Sequence, residues 1–358
     1  MATDEIVDAR RFSEAESSPR IGRIPTPTGY AGLGDINSYL IFPEKDSDEL
    51  ILIDTGINSK LAWKTLNEGL AKLGYRVEDI TKILLTHGHN DHCGQARHIR
   101  EKSGCIVWAH EDLELTINRF NPSPELKELE QYFYARWGVE QEAMDRAFSG
   151  RYDKVKSFQP VEIDHLLKDD ELVEISGFNL RTVHTPGHCP DEVIYWQEEE
   201  RVIFSGDHLL PHITPVTLAQ IPVSKEAVRP QSLIQYQASL TKVEPYPARV
   251  TYPSHGGPIT DHLALINSYR GATDRRLLKI SRILEEGGLM NPMEVGKSLF
   301  PRAWKDQLVP VMSEILGHCD LLQEDGHVAE EVSNGVIQYR YISTPTHLIP
   351  APEAAAVS

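Results

Sequence analysis

Four side chains able to bind a metal ion fall within six residues, His87, His89, Asp91 and His92, in Thr86-His87-Gly88-His89-Asn90-Asp91-His92-Cys93-Gly94. Imidazole and carboxylate are the ligands of zinc and of neighbouring divalent first-row ions. A surface loop can be rich in His by chance, but H-x-H-x-D-H placed directly after an apolar run reads as a metal loop. Four more candidates follow the same local pattern. Asp54 opens Asp54-Thr55-Gly56, and His188 lies in Thr185-Pro186-Gly187-His188-Cys189-Pro190. Asp207 lies in Ser205-Gly206-Asp207-His208, and His255 in Pro253-Ser254-His255-Gly256-Gly257.

Each of these residues follows a stretch that reads as a strand. The apolar run Ile80 to Leu85 precedes the histidine loop, and the segment from Gln95 to Lys102 has helical character. Ile36–Phe42 and Leu50–Ile53 read as adjacent strands across the polar turn 43–48, the second ending at Asp54. Residues 58–72 have the spacing of an amphipathic helix, and Cys105–Ala109 reads as a strand. Further strands are expected at Leu172–Ile175, Phe178–His184, Val193–Trp196, Val202–Phe204 and Arg249–Tyr252, with a helix over Pro230–Val243. Alternating strands and helices imply an α/β layered domain. Five loops at one edge of its sheets would each donate a metal-type side chain, and convergence within roughly 2.0–2.3 Å of an ion requires such an edge.

The 358 residues, with 40% hydrophobic and 25% charged, suit one large domain and a smaller one with a sizeable core. A net charge of -17 repels phosphate backbones, so nucleic acid is disfavoured as a partner. No apolar run approaches the ~20 residues of a membrane span. The start, Met1-Ala2-Thr3-Asp4-Glu5, carries no basic or apolar leader pattern. The four cysteines, Cys93, Cys105, Cys189 and Cys319, form no C-x-x-C pair. They read as reduced packing thiols, and a cytoplasmic location is expected.

Residues 1–20 are expected to form a loose arm, 21–262 a catalytic domain, 263–345 a smaller domain and 346–358 a disordered tail. A helical insertion at about 110–150 carries Tyr132, Phe133, Tyr134 and Trp137. It reads as a lid over a pocket, as a homodimer surface or as ordinary helix packing. Beyond residue 262, helices are expected over Asp274–Glu286, from Asn291-Pro292 and over Trp304–Leu322. A hairpin is expected around Ser333-Asn334-Gly335. Three helices and a hairpin make the outline of a winged-helix unit.

With these motifs in order, the chain resembles the metallo-β-lactamase-fold hydrolases over roughly residues 20 to 262, and its C-terminal part resembles the winged helix of one branch. The resemblance implies an αββα sandwich with metals at one edge. It implies that His87, His89 and His188 hold a first metal, that Asp91, His92 and His255 hold a second, and that Asp207 bridges them. Asp54 would act beside the site. Two divalent ions, zinc first with iron or manganese as alternatives, would lower the pKa of a bridging water toward ~7. Hydroxide would attack a carbonyl polarised by the first ion, with Asp91 orienting it. His208 and His212, with Tyr132 and Trp137, are the expected substrate contacts.

The reaction expected is hydrolysis of a small carboxylic ester, thioester or lactone, the aromatic insertion supplying an apolar wall for the acyl group. The alternative is a ribonuclease or phosphodiesterase of the winged-helix branch. Against it stand the charge of the chain and a helix 304–322 in which Lys305 is the only clear base. The winged-helix-like unit then reads as an interaction or dimerisation module.

Overall fold

In a computed structural model of the chain, residues 18, 20–30, 32–44, 46–120, 122–149 and 161–348 are described. The expected arm, apart from Ser18 and Arg20, and the expected tail from 349 onward lie outside them. The chain divides into two compact units. The first comprises Met1–Ser123, Gly150–Pro215 and Gln235–Ile266, and the second Pro124–Ser149, Val216–Ile234 and Asn267–Ser358. This departs from a division at residue 262, because residues 124–149 of the helical insertion, together with 216–234, go with the C-terminal residues, whereas 110–123 stay in the first unit. The physical reason is the aromatic content of 124–149: Phe133, Tyr134 and Trp137 share one core with Met293, Leu308, Met312 and Leu316.

The first unit holds two sheets. One runs β1 (Ile21–Pro27), β2 (Asp35–Ile41), β3 (Ile51–Ile53), β4 (Lys82–Leu84), β5 (Ile106–His110) and β6 (His165–Leu167), in that order. From β3 to β6 neighbouring strands are parallel. The other contains β7 (Leu172–Val173), β8 (Leu180–His184), β9 (Val193–Gln197), β10 (Val202–Gly206) and β11 (Val250–Pro253), ordered β11-β10-β9-β8-β7. Here β10 and β11 are parallel and the rest antiparallel.

Successive side chains of a strand point to opposite faces, and both faces are apolar here. Tyr39, Ile41, Ile51 and Ile53 turn toward a core shared with Val193, Tyr195, Phe204 and Tyr252 of the other sheet. Leu40 and Leu52 turn the other way, onto Leu66 and Leu70 of helix α1 (Lys60–Lys72). Ser59 caps α1 by accepting the Ala62 N–H at 3.1 Å. Helices α2 (Asn90–Cys93), α3 (Ala96–Ser103) and α4 (Leu113–Phe120) follow, and Ile99 and Leu113 join the same core. The paired sheets and flanking helices are those of the expected αββα sandwich.

In the second unit lie α5 (Pro124–Arg136) and α6 (Gln141–Phe148), and α7 (Ser232–Val243) has only its first turn there, the rest belonging to the first unit. Helix α8 (His262–Gly287) likewise starts in the first unit and ends in the second. After it come β12 (Leu289–Met290), α9 (Pro292–Leu299), α10 (Leu308–Glu324) and the hairpin β13 (Val328–Ser333) with β14 (Val336–Tyr341). Asn291 and Glu294 cap the start of α9 reciprocally. Asn334 and Gly335 take φ of 50° and 80°, the pair of left-handed residues a two-residue hairpin turn requires. Three helices and a hairpin are therefore present as expected, with β12 as an added third strand. Among the described residues no helix is long and apolar enough to cross a membrane.

Candidate metal centre

The parallel strands β3 and β4 end side by side, and the loops that leave them carry the first ligands. Asp54 directly follows β3 with φ 55°, a conformation that costs energy for a residue with a side chain. Its carboxylate is held by the Thr86 N–H at 2.8 Å and the Thr86 hydroxyl at 2.7 Å. It also faces His92 Nδ1 at 2.8 Å. With the Nδ1 proton given to Asp54, the His92 Nε2 lone pair is left to point elsewhere. His255 is set in the same way: Nδ1 stands 2.9 Å from the Asp35 carbonyl oxygen, leaving Nε2 bare. Asn37 on β2 anchors that loop by donating to the carbonyls of Pro253 and Gly256, both at 2.9 Å. Gly94 closes the histidine loop, because a Cβ there would lie 2.2 Å from the Asn90 carbonyl oxygen.

The bare nitrogens converge. His92 Nε2 and His255 Nε2 are buried with no hydrogen-bond partner among the described residues. Asp207 Oδ1 lies 3.5 Å from the first and 3.6 Å from the second. Asp207 Oδ2 lies 3.4 Å from His188 Nε2. Asp91 Oδ2 lies 3.6 Å from His255 Nε2. His87 Nε2 and His188 Nε2 approach His89 Nδ1 at 2.9 and 3.0 Å. The seven residues expected as ligands thus form one cluster, buried except for the half-buried His89, and two of its triads (His87, His92, Asp207 and Asp91, His92, His255) have donor atoms within 4.8 Å of one another. Buried nitrogens without partners are expensive, and a divalent cation among imidazoles and carboxylates would satisfy them. The residues present therefore fit divalent metal.

The electrostatics agree with that fit. Burial, with His92 and His89 adding to it, holds the His87 imidazole well below its usual range, and burial brings His89 down to about 3. Burial alone would raise Asp207, but His92 and His255 outweigh it and keep the carboxyl well below the ordinary value. His87 and His89 are therefore neutral and Asp207 is ionised, the states in which these groups ligate. Burial alone would lower His92 and His255, but Asp207, with Asp54 at His92 and Asp91 at His255, outweighs it and raises both, so a cation bound there takes the place of protons.

Three supporting residues escaped the reading of motifs. Asp191 is fully buried and accepts the Gly88 N–H at 2.7 Å and the Thr116 hydroxyl, which tethers the histidine loop from behind. Burial raises its carboxyl to about 6 against those hydrogen bonds. Glu192 accepts the Asp207 N–H at 2.7 Å and stands 3.9 Å from His87 Nδ1, with its carboxyl pushed well up by burial. Ser254 contacts the Asp207 carboxylate through its hydroxyl. A signal existed for the first two, since an acidic pair opens the wholly buried strand β9. Acids at the mouth of an apolar strand need partners to be buried.

The expected substrate contacts fall in different places. His208 is fully buried, with neither ring nitrogen hydrogen-bonded among the described residues, and burial together with His188 lowers it to about 3. His212 is exposed. Trp137, expected as a pocket wall, is only 1% exposed and sits in the second unit's core against Phe133 and Tyr134. Tyr132 is half-buried there, and its hydroxyl accepts from Arg136 at 3.1 Å. Of the readings of the aromatic insertion, helix packing is what Phe133, Tyr134 and Trp137 carry out.

A family model for the Metallo-beta-lactamase superfamily matches residues 31–255. The probable metallo-hydrolase YqjP of Bacillus subtilis is 27% identical over 326 residues, 89% of this chain and 96% of its own length. An atrochrysone carboxyl ACP thioesterase of Emericella nidulans is 30% identical over 325 residues, 89% of this chain and 83% of its own. Among solved structures, a metallo-beta-lactamase family protein of Thermus thermophilus superposes with a TM-score of 0.76 at 27% identity, covering 91% of this chain and 99% of that one. A motif loop, a sandwich and a matching family model thus lead to one assignment: the chain belongs to the metallo-beta-lactamase superfamily.

Proposed function

We propose that the chain is a two-metal hydrolase that cleaves a thioester, with small carboxylic esters and lactones as the neighbouring substrate class. The single observation that carries the two-metal reading is the position of Asp207. One carboxylate oxygen faces His188, and the other faces His92 and His255. His87, His89 and His188 would hold one ion, Asp91, His92 and His255 the other, and Asp207 would touch both. Divalent ions bound there, zinc by preference with iron or manganese as alternatives, would supply Lewis acidity and water acidified toward ~7.

The chain's own groups do the rest. Asp54 and the Asp35 carbonyl fix the protons on His92 and His255 at Nδ1. Asp91 orients the attacking water and takes up its proton. A thiol with a pKa of about 8.5 leaves as thiolate near neutral pH, so no separate acid is called for at the leaving group. Thioester is placed first because relatives that align along most of this chain carry the name ACP thioesterase.

The ribonuclease alternative is less well supported. Helix α10, the expected reader of nucleic acid, spends Val311, Met312, Ile315, Leu316, Cys319 and Leu322 on the core, and Glu314 on its flank pairs with Arg276 at 2.8 Å. A helix so used has little left to present to a phosphate backbone. We read the C-terminal residues as a winged-helix-like interaction module, and the small-molecule partner as an acyl compound handled in the cytoplasm.

The test uses the full chain loaded with zinc or manganese, a panel of acyl-N-acetylcysteamine thioesters with matched esters and lactones, and a labelled RNA. Release of thiol faster than hydrolysis of the ester or lactone is expected. Metal-loaded protein that turns over no acyl substrate would overturn the proposal, and cleavage of the RNA would replace it.

A further inference from the structure

A second group of ligand-type side chains lies in the first unit, outside the cluster described above. His110 ends β5, Asp112 follows in the turn before α4, and His184 ends β8. Each offers one ligand atom, and the three atoms lie within 4.8 Å of one another. His110 belongs to the first sheet and His184 to the second, so the group spans the gap between the sheets. Four residues after His184 the chain reaches His188.

The hydrogen bonds leave a bare lone pair on His184, and that of His110 is held only by a 3.2 Å bond from the Asp112 N–H, which an ion would replace. His184 Nε2 lies 2.7 Å from the Pro190 carbonyl oxygen, so Nε2 carries the proton and Nδ1 is bare. His110 Nδ1 accepts the Asp112 N–H at 3.2 Å and stands 3.8 Å from the Asp112 carboxylate. Lys242 does not occupy the place of a cation here, because its ammonium is bound to Asp169 and to the His184 carbonyl oxygen, at 2.7 and 2.9 Å. Burial, with His184 adding to it, pushes the His110 imidazole down to about 4. It is thus neutral near pH 7, and binding a cation displaces no proton from it.

From this arrangement we infer that His110, Asp112 and His184 form a further site for a divalent transition-metal ion of the zinc type, clamping β5 to β8 at the root of the His188 loop. Two imidazoles and one carboxylate make a donor set for such an ion, with water completing the shell. The two rings now stack 4.0 Å apart at 20°. An imidazole lone pair lies in the plane of its ring, so two nearly parallel rings do not aim theirs at one ion, and the stack must open as the ion enters. His184 is the ring that can turn, being half-buried where His110 is buried. The ion thus tightens the loop's root, and its effect is on stability and loop position instead of on the chemical step.

The test counts zinc in tag-free full-length protein that is stripped with dipicolinate, dialysed against zinc and measured by atomic emission. Wild type should hold one zinc per chain more than Asp112→Ala, a change at a half-exposed turn that leaves the packed rings in place. The same difference of one should separate Asp207→Ala from Asp207→Ala with Asp112→Ala, which shows that the extra ion is not in the main cluster. His184→Asn is the second variant, and it should weaken cobalt binding at this site at least tenfold, read from the visible d–d spectrum. Equal zinc counts for wild type and Asp112→Ala overturn the inference.

Discussion

At the edge of the sandwich the first unit buries His87, Asp91, His92, Asp191, Glu192, Asp207 and His255 together, with Asp54 beneath them. In the second unit the interior is Phe133, Tyr134, Trp137, Met293, Met312 and Leu316, and the buried Asp320 pairs there with the half-buried Arg229. Both regions are closely packed, but they answer to different demands. The second is arranged to leave water, and apolar burial favours that at about 25 cal/mol per Å². The first gathers groups that prefer water and leaves His92 Nε2 and His255 Nε2 unpaired among the described residues. Packing alone gives no reason for such a cluster, whereas a bound cation does. The contrast tells functional residues from structural ones where burial does not: Trp137 and His87 are equally buried, at 1%.

Four experiments put this contrast at risk. The largest effect is expected of Asp207→Ala, which removes the carboxylate shared by both halves of the cluster. Hydrolysis should fall by roughly 10³-fold or more, on the scale of losing a group that stabilises developing charge. Thiol release and zinc content report it together, and full activity in this variant would end the two-metal proposal. Next comes Trp137→Ala in the second unit's core. It should lower unfolding free energy by about 3–5 kcal/mol in urea titrations. Zinc bound per folded chain should stay at the wild-type level, and a loss of zinc without loss of stability would reverse the assignment of Trp137 to packing.

Smaller effects are expected of the residues behind the ligands. Asp54→Asn and Glu192→Gln should each weaken metal affinity about 10–100-fold, the usual cost of removing a ligand's hydrogen-bond partner. Competition with a chelator measures this, and unchanged affinity in both would make these acids structural only. The smallest effect concerns pH. The His110 imidazole is depressed to about 4, with His184, Asp112, Asp169 and Lys242 as the groups around it. A depressed histidine adds stability above its ordinary value of about 6.5 that is lost as pH falls through the folded value. Urea midpoints of wild type should therefore decline between pH 6.5 and about 4 more steeply than those of His110→Gln. Parallel curves would remove His110 from the acid response.

Much of the fold was legible, and the misses have physical causes. The turn at Asn334-Gly335 and the cap at Asn291 were readable because they depend on local backbone geometry. Strand β1 was not, since Pro25 and Pro27 argue against a strand. It lies at the edge of its sheet, where proline is tolerated. Strand β6 escaped as well, because only Leu167 of its three residues is buried and no apolar run marks it. The interleaving of the two units was hidden for another reason: segments 124–149 and 216–234 join the C-terminal residues through contacts distant in sequence.

By itself the sequence determined the ligand types, their spacing and their position after strands, because H-x-H-x-D-H and the four other loops are local patterns. The tertiary structure alone decided which nitrogen of His92 and His255 faces inward, because Asp54 and the Asp35 carbonyl reach them from other strands. It alone placed Asp191 and Glu192 behind the cluster and Trp137 in a core, since burial and hydrogen-bond partners are set by the packing of distant segments.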